Sequence, residues 1–95
     1  MDDPGQDNPV TDNAARRRFE LEVDGLTVFA SYRRDGDDLH IPYVEAPAPL
    51  RGTGAADRLM HGVMRIARAE GRRVVPICGY AAAWMRRHKE YGDLR

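Results

Sequence analysis

Ninety-five residues, 42% of them hydrophobic and 32% charged, can build one small core and leave no room for a second domain. No apolar run approaches the roughly 20 residues of a membrane span. One cysteine and three histidines, not at metal-ligand spacing along the chain, point to neither an internal disulfide nor a structural zinc, so no metal is expected. The formal net charge of zero hides an asymmetry: residues 1–50 carry 11 acidic and 5 basic groups, net −6, and residues 51–95 carry 4 and 10, net +6.

The C-terminal half can therefore attract an anion. Of the 15 basic residues 14 are arginine, which suits bidentate phosphate contacts and equally fits a compositional bias. A pI near 6.8 argues against a dedicated nucleic-acid binder. The opening MDDPGQDNPV has neither a basic stretch nor an apolar core of the kind a secretory signal needs, so a cytoplasmic location is expected.

Residues 1–12 hold four aspartates and two prolines with little to bury beyond Val10, and are expected to form a flexible acidic tail ahead of a domain over 13–95. From Arg18 the chain alternates, with Phe19, Leu21 and Val23 between Arg18, Glu20 and Glu22, as in a half-buried strand. Asp24-Gly25 predicts a hairpin turn. A second strand follows over about Leu26–Arg33, a turn at Asp35–Asp38, and a third strand over about Leu39–Glu45, giving an antiparallel meander. Pro42 cannot donate to a ladder, so the third strand should carry an irregularity or an edge there. Ala56, Leu59, Met60, Val63, Met64 and Ala67 then recur at the spacing of one buried helix face, ended by Gly71. The apolar run Val74–Cys78 predicts a strand parallel to the third. Ala81, Trp84, Met85 and His88 predict a short final helix. The fold class is α/β, a mixed and mainly antiparallel sheet packed by two helices.

Between the third strand and the long helix stands Arg51-Gly52-Thr53-Gly54-Ala55-Ala56. A glycine-rich turn opening a helix gathers free N–H groups and the positive helix end at one point, where a phosphate can be held. Gly52 and Gly54 permit close approach, Arg51 and Thr53 offer side-chain donors, and Ala55 and Ala56 leave the helix start open. A plain glycine loop explains the same residues. A Walker A loop is excluded because no lysine occurs before Lys89, and a Rossmann fingerprint because position 57 is Asp where a third glycine is needed.

The same hexapeptide resembles the Q/R-x-x-G-x-G/A pyrophosphate loop of the GNAT superfamily of acetyltransferases. With VTDNAARRRFELEVDG at 10–25, VEAPAPLRGTGAADRLM at 44–60 and VVPICGYAAAWMRRHKEY at 74–91, the chain is similar to the minimal, single-domain GNAT-like group over nearly all residues beyond the tail. It departs at Gly79 and Lys89, where that group often has proline, and at Tyr43, where it often has histidine. The resemblance implies an acetyl-CoA-dependent N-acetyltransferase acting on a primary amine of unknown identity, as a monomer or weak homodimer. It further implies a cleft between the third strand and the strand at 74–78, with pantetheine along Val44, Glu45 and Ala46 and pyrophosphate on residues 51–56. Cys78, Tyr80 and Arg87 are further candidate cofactor contacts.

Candidate catalytic groups are Cys78, Glu45 and His88. Cys78 stands where the resemblance places the thioester, and a thiolate there can accept an acyl group, yet a thiol at a buried strand end also serves as a small hydrophobe. Glu45 or His88 can act as the base for direct attack by an amine. Each also has a structural role open to it, as a solvated strand residue and as a hydrogen-bonded helix histidine. Tyr80 and Tyr91 are candidate acids for the leaving thiolate. A cofactor-binding or protein-interaction module with little catalysis is the alternative, because this chain, like the minimal group, lacks the N-terminal helices that form much of the acceptor site in larger relatives.

Overall fold

A computed structural model of the chain describes residues 8–95. Five strands form one sheet in sequence order: β1 (Thr11–Asn13), β2 (Arg18–Val23), β3 (Leu26–Asp35), β4 (Asp38–Glu45) and β5 (Arg73–Pro76). All neighbours are antiparallel except β4 and β5, which run parallel through the crossover helix α1 (Ala55–Glu70). Helix α2 (Gly79–Arg87) follows β5, and 3₁₀ turns occupy Ala48–Leu50 and Lys89–Leu94. The expected fold class is the one found.

The alternation read in the sequence sets the core. Phe19 and Leu21 of β2, Val28, Ala30 and Tyr32 of β3, Leu39 and Ile41 of β4 and Val74 of β5 are all buried. They meet Leu59, Met60, Val63, Met64 and Ala67 of α1 and Ala81, Trp84 and Met85 of α2 in one cluster. The β2–β3 hairpin closes on Asp24 and Gly25, both at positive φ (52° and 78°), the two-residue turn whose twist matches the strands. Gly71 ends α1 at φ 68°, with its N–H on Arg68 O and that of Arg72 on Ala67 O.

Pro42 acts as its chemistry predicts. The β3–β4 register shifts between Ser31 and Arg33, so that Tyr32 faces the stretch Ile41–Pro42, a bulge at the residue that lacks an N–H.

Two expectations need correction. The tail expected over 1–12 lies outside the described residues as far as residue 7, but residues 8–12 are built into the fold. Val10 is 5% exposed and sits over Gly62 of α1, where any Cβ would collide with it. Asn8 fixes this contact, donating from Nδ2 to Gly62 O at 2.9 Å and accepting the Val10 N–H at 3.0 Å. Asp12 then accepts from the Tyr32 hydroxyl and from Arg34 Nη2, the latter at 3.1 Å. Secondly, the strand expected over 74–78 ends at Pro76, and Cys78 occupies the N-cap position of α2.

Arg34 also grips Glu70 with Nε and Nη2 at 2.9 and 2.6 Å, and Arg72 adds a third contact at 2.8 Å, tying the end of α1 to β3. The hydrogen bonds from Arg34, ahead of those from Arg72, hold the Glu70 carboxyl below its ordinary value of 4.5. A depressed carboxyl contributes stability that is complete above the unfolded value and is lost as the pH falls through the folded one. Glu70→Gln is therefore expected to lower the urea midpoint at pH 7 and to converge with the wild type as the pH falls below the folded carboxyl's lowered value. A deficit that does not shrink as the pH falls would show that Glu70 acts through packing.

Candidate functional site

The site begins where β4 and β5 part. Their parallel register runs from Asp38↔Arg73 to Ile41↔Pro76, and the N–H groups of both Ile77 and Cys78 then converge on Ile41 O at 3.1 and 2.9 Å. Pro76, with no N–H to continue the ladder, stands at the point of separation. Beyond it β4 stays paired with β3 through Val44↔Ala30 and Glu45↔Phe29, and its other edge has no strand partner among the described residues.

The chain then turns through Ala48–Leu50 into the glycine loop. Thr53 N–H and Oγ1–H both donate to Leu50 O, at 3.2 and 2.5 Å, so the Thr53 hydroxyl holds the loop's shape and its proton points inward. Gly52 and Gly54 take φ values of 78° and 86°, the left-handed region that glycine enters without steric penalty. Gly54 is the N-cap of α1, and no side chain among the described residues caps the helix. The first bond of the helix is Arg58 N–H to Gly54 O at 3.0 Å. The N–H groups of Ala55, Ala56 and Asp57 thus have no acceptor among the described residues, at the positive end of a 16-residue dipole.

These donors face a cleft of about 410 Å³. It is lined by Val44 at the edge of β4 and Ala46 just past its end, by Leu50, and by Arg51, Gly52, Gly54, Ala55, Ala56 and Asp57. Tyr80 of α2 closes the far side. Three large side chains are left exposed among the described residues, Tyr43 by 49%, Ile77 by 57% and Tyr80 by 38%, and of these Tyr80 lines the cleft.

The model of the GCN5-related N-acetyl-transferase family matches residues 18–94. The chain belongs to this family. Its fold is also that of a GCN5-like protein from Staphylococcus aureus, whose solution structure superposes with a TM-score of 0.66 over 93% of this chain and 88% of that one, at 19% identity. No curated protein matches the chain.

In this GCN5-related domain, Val44, Ala46, Arg51, Gly52, Gly54, Ala55, Ala56 and Tyr80 come together around the cleft as the sequence suggested. Glu45, Thr53, Cys78, Arg87 and His88 do not line it. Glu45 shares its side of β4 with Tyr43, whose hydroxyl donates to Glu45 Oε1. That bond, before any other influence, raises the Tyr43 phenol above its ordinary value. Cys78 is half-buried at the start of α2, packed against the core. Arg87 is exposed at the far end of α2. His88 stacks on Trp84 at 3.8 Å between ring centres, and Tyr91 donates to or accepts from His61 Nδ1 at 2.8 Å, both away from the cleft lining.

Burial, its largest influence, raises the Tyr80 phenol, so this cleft-lining hydroxyl keeps its proton at neutral pH. Leu50 and Asp57 were missed as lining residues. Leu50 reads as loop and Asp57 as a first-turn acid favoured by the dipole, and only the turn of the chain brings both to the cleft. No helix among the described residues is long and apolar enough to cross a membrane.

Proposed function

We propose that the domain holds acetyl-CoA in this cleft and transfers its acetyl group to a primary amine. One observation carries this proposal: an uncapped helix start and an unpartnered strand edge face each other across a single cleft. The donors suit a diphosphate. The N–H groups of Ala55, Ala56 and Asp57 need acceptors, glycines at 52 and 54 let phosphate oxygens approach the backbone, and the basic C-terminal half adds a favourable field. The edge of β4 at Val44 and Glu45, with Ala46 just past its end, offers peptide groups to the amides of the pantetheine arm.

Acetyl-CoA supplies an acyl carbon activated as a thioester. The chain contributes binding, orientation and proton management. Glu45 lies off the cleft lining, on the Tyr43 side of β4 with Oε1 engaged by Tyr43, so it can take the amine proton only through a water that reaches Oε2. Tyr80 holds a proton at its phenol oxygen in the cleft wall, placed to pass it to a departing thiolate. Exposed Tyr80, in the cleft wall, gives the acceptor an apolar surface to lie against. The same exposure favours a second function, cofactor binding with little catalysis of its own, in which a partner protein covers that surface.

Arg51 is exposed and its Nε is held by Ala46 O at 3.1 Å, which leaves its terminal nitrogens as phosphate donors at the rim. Arg51→Ala is expected to weaken acetyl-CoA binding about three- to tenfold by calorimetry, as loss of one exposed charge-assisted contact should. Cys78 lies off the lining, so transfer is direct. Cys78→Ala should keep turnover within about threefold of wild type, and mass spectrometry of wild-type protein exposed to acetyl-CoA should find Cys78 unmodified. Acetylated Cys78 with turnover lost in the variant would reverse this order of events.

The function itself is tested by incubating the protein with acetyl-CoA and a panel of small amines and lysine peptides, following release of the CoA thiol and the acetylated amine. Amine-dependent release lost in Gly54→Asp supports the transferase. Tight cofactor binding with no transfer to any amine would favour the binding module.

A further inference from the structure

Behind the loop, three side chains that the cleft chemistry does not use converge. Asp57 and His61 lie one turn apart on α1, and His88 follows the end of α2. His61 Nε2 is 3.6 Å from Asp57 Oδ2, and His88 Nε2 is 3.6 Å from Asp57 Oδ1. The three donor atoms all fall within 4.8 Å of one another. Separations of 3.6 Å are too long for an N–H···O hydrogen bond. Each is close to the edge of a tetrahedral ligand set, about 3.4 Å when each ligand atom is ~2.1 Å from Zn²⁺, with the two imidazoles reaching different oxygens of the one carboxylate.

The orientation of the rings is set from behind. His61 Nδ1 pairs with the Tyr91 hydroxyl at 2.8 Å, and His88 Nδ1 with Glu90 Oε2 at 3.2 Å. The Glu90 carboxylate at Nδ1 orients the ring so that Nε2 of His88 is directed at the Asp57 carboxylate. A cation shared between Nε2 and the carboxylate, a metal ion or a proton on the ring, satisfies both groups. Asp57 is also fixed, by the Trp84 Nε1–H at 2.8 Å, and the Trp84 indole packs flat on His88 at 3.8 Å and edge-on to His61 at 5.0 Å. Ligand atoms, their outer partners and a packed indole therefore stand on two helices and a turn. Spacing along the chain hides this set, because His88 arrives 27 positions beyond His61.

We propose that Asp57, His61 and His88 bind a divalent transition metal, with Zn²⁺ the best match to two imidazoles and one carboxylate and a coordination position left open. The ion clips the start of α1 to the end of α2. Because Asp57 also lines the cleft, it places a cation at the cleft wall. The proposal stands independently of acetyl transfer.

Trp84 is the chain's single tryptophan, so its emission reports on the site. Metal-stripped full-length protein is titrated with Zn²⁺, followed by Trp84 emission and calorimetry. The expected result is one-to-one saturation, with Kd raised tenfold or more in His61→Gln and His88→Gln and unchanged in His40→Gln, the third histidine, on β4. If a glutamine variant fails to fold, the wild type is titrated by NMR, where Zn²⁺ should shift the ring signals of His61 and His88 and spare His40. No saturation in the wild type, equal affinity in folded His61→Gln and His88→Gln, or shifts confined to His40 would each overturn the site.

Discussion

Gly54→Asp is expected to weaken acetyl-CoA binding at least a hundredfold while leaving the chain folded. Gly54 sits at φ 86°, and a Cβ built there meets nothing within 4 Å. The substitution therefore brings no collision. Its backbone cost is about 1 kcal/mol, and aspartate is among the residues that best tolerate the left-handed region. That geometry is also not the extended one in which an N-cap side chain closes on its own helix, so the carboxylate stays free at the cleft that Gly54 lines. There it meets a diphosphate. Like charges about 4 Å apart repel by roughly 1–4 kcal/mol between the water and protein-surface limits, and binding also loses the positive helix end. Gly54→Ala separates strain from charge and should cost less than tenfold. Calorimetry with a melting curve on the same sample checks both. Unchanged affinity in a folded Gly54→Asp protein would remove the loop from the site.

Trp84→Ala is expected to cost about 3–5 kcal/mol of stability, a large part of the ~5–15 kcal/mol available to a domain. Trp84 is 1% exposed, the largest fully buried side chain, and its Nε1 donates to Asp57 Oδ1 at 2.8 Å. Truncation opens a cavity between α1 and α2 and frees the first turn of α1, the turn that carries the loop's N–H donors. Trp84→Phe keeps most of the apolar burial and should cost about 1–2 kcal/mol, mainly the lost hydrogen bond and some volume. For a chain of this size each kcal/mol moves Tm by roughly 4–8 °C, so a thermal melt resolves the two variants. A loss below 1 kcal/mol for Trp84→Ala would mean that α2 does not depend on this contact.

Local patterns carried most of the fold. Strands β2 to β4 are legible because Phe19, Leu21, Val28, Ala30 and Leu39 alternate with polar neighbours, and their turns announce themselves through Asp24-Gly25 and Gly36. Helix α1 is legible from its apolar stripe and Gly71, and the interruption at Pro42 from the missing N–H alone. Strand β1 was not legible. Its three residues show no alternation, and Asp12 is held by Tyr32 and Arg34, partners 20 and 22 positions away. An acidic segment reads as tail until its cations are known. The end of β5 was misplaced for a similar reason: Ile77 and Cys78 are apolar, but both N–H groups turn onto Ile41 O, a geometry no run of residues announces.

The candidate site divides in the same way. Glycines before a helix mark the phosphate side, because the conformations at 52 and 54 are local properties. Glu45 and Cys78 were drawn to the cleft by their positions on the β4 and β5 segments, whereas the cleft is lined by Val44, Ala46 and Tyr80. Side-chain direction decides this. On β4 the alternation turns Glu45 to the side of Tyr43, opposite to that of Val44.

The most direct measurement is isothermal titration of the folded protein with acetyl-CoA. The proposal predicts saturable one-to-one binding, competed by CoA, weakened about three- to tenfold in Arg51→Ala and lost in Gly54→Asp. Absence of heat and of competition in a protein that melts cooperatively, or binding indifferent to Gly54→Asp, would contradict it.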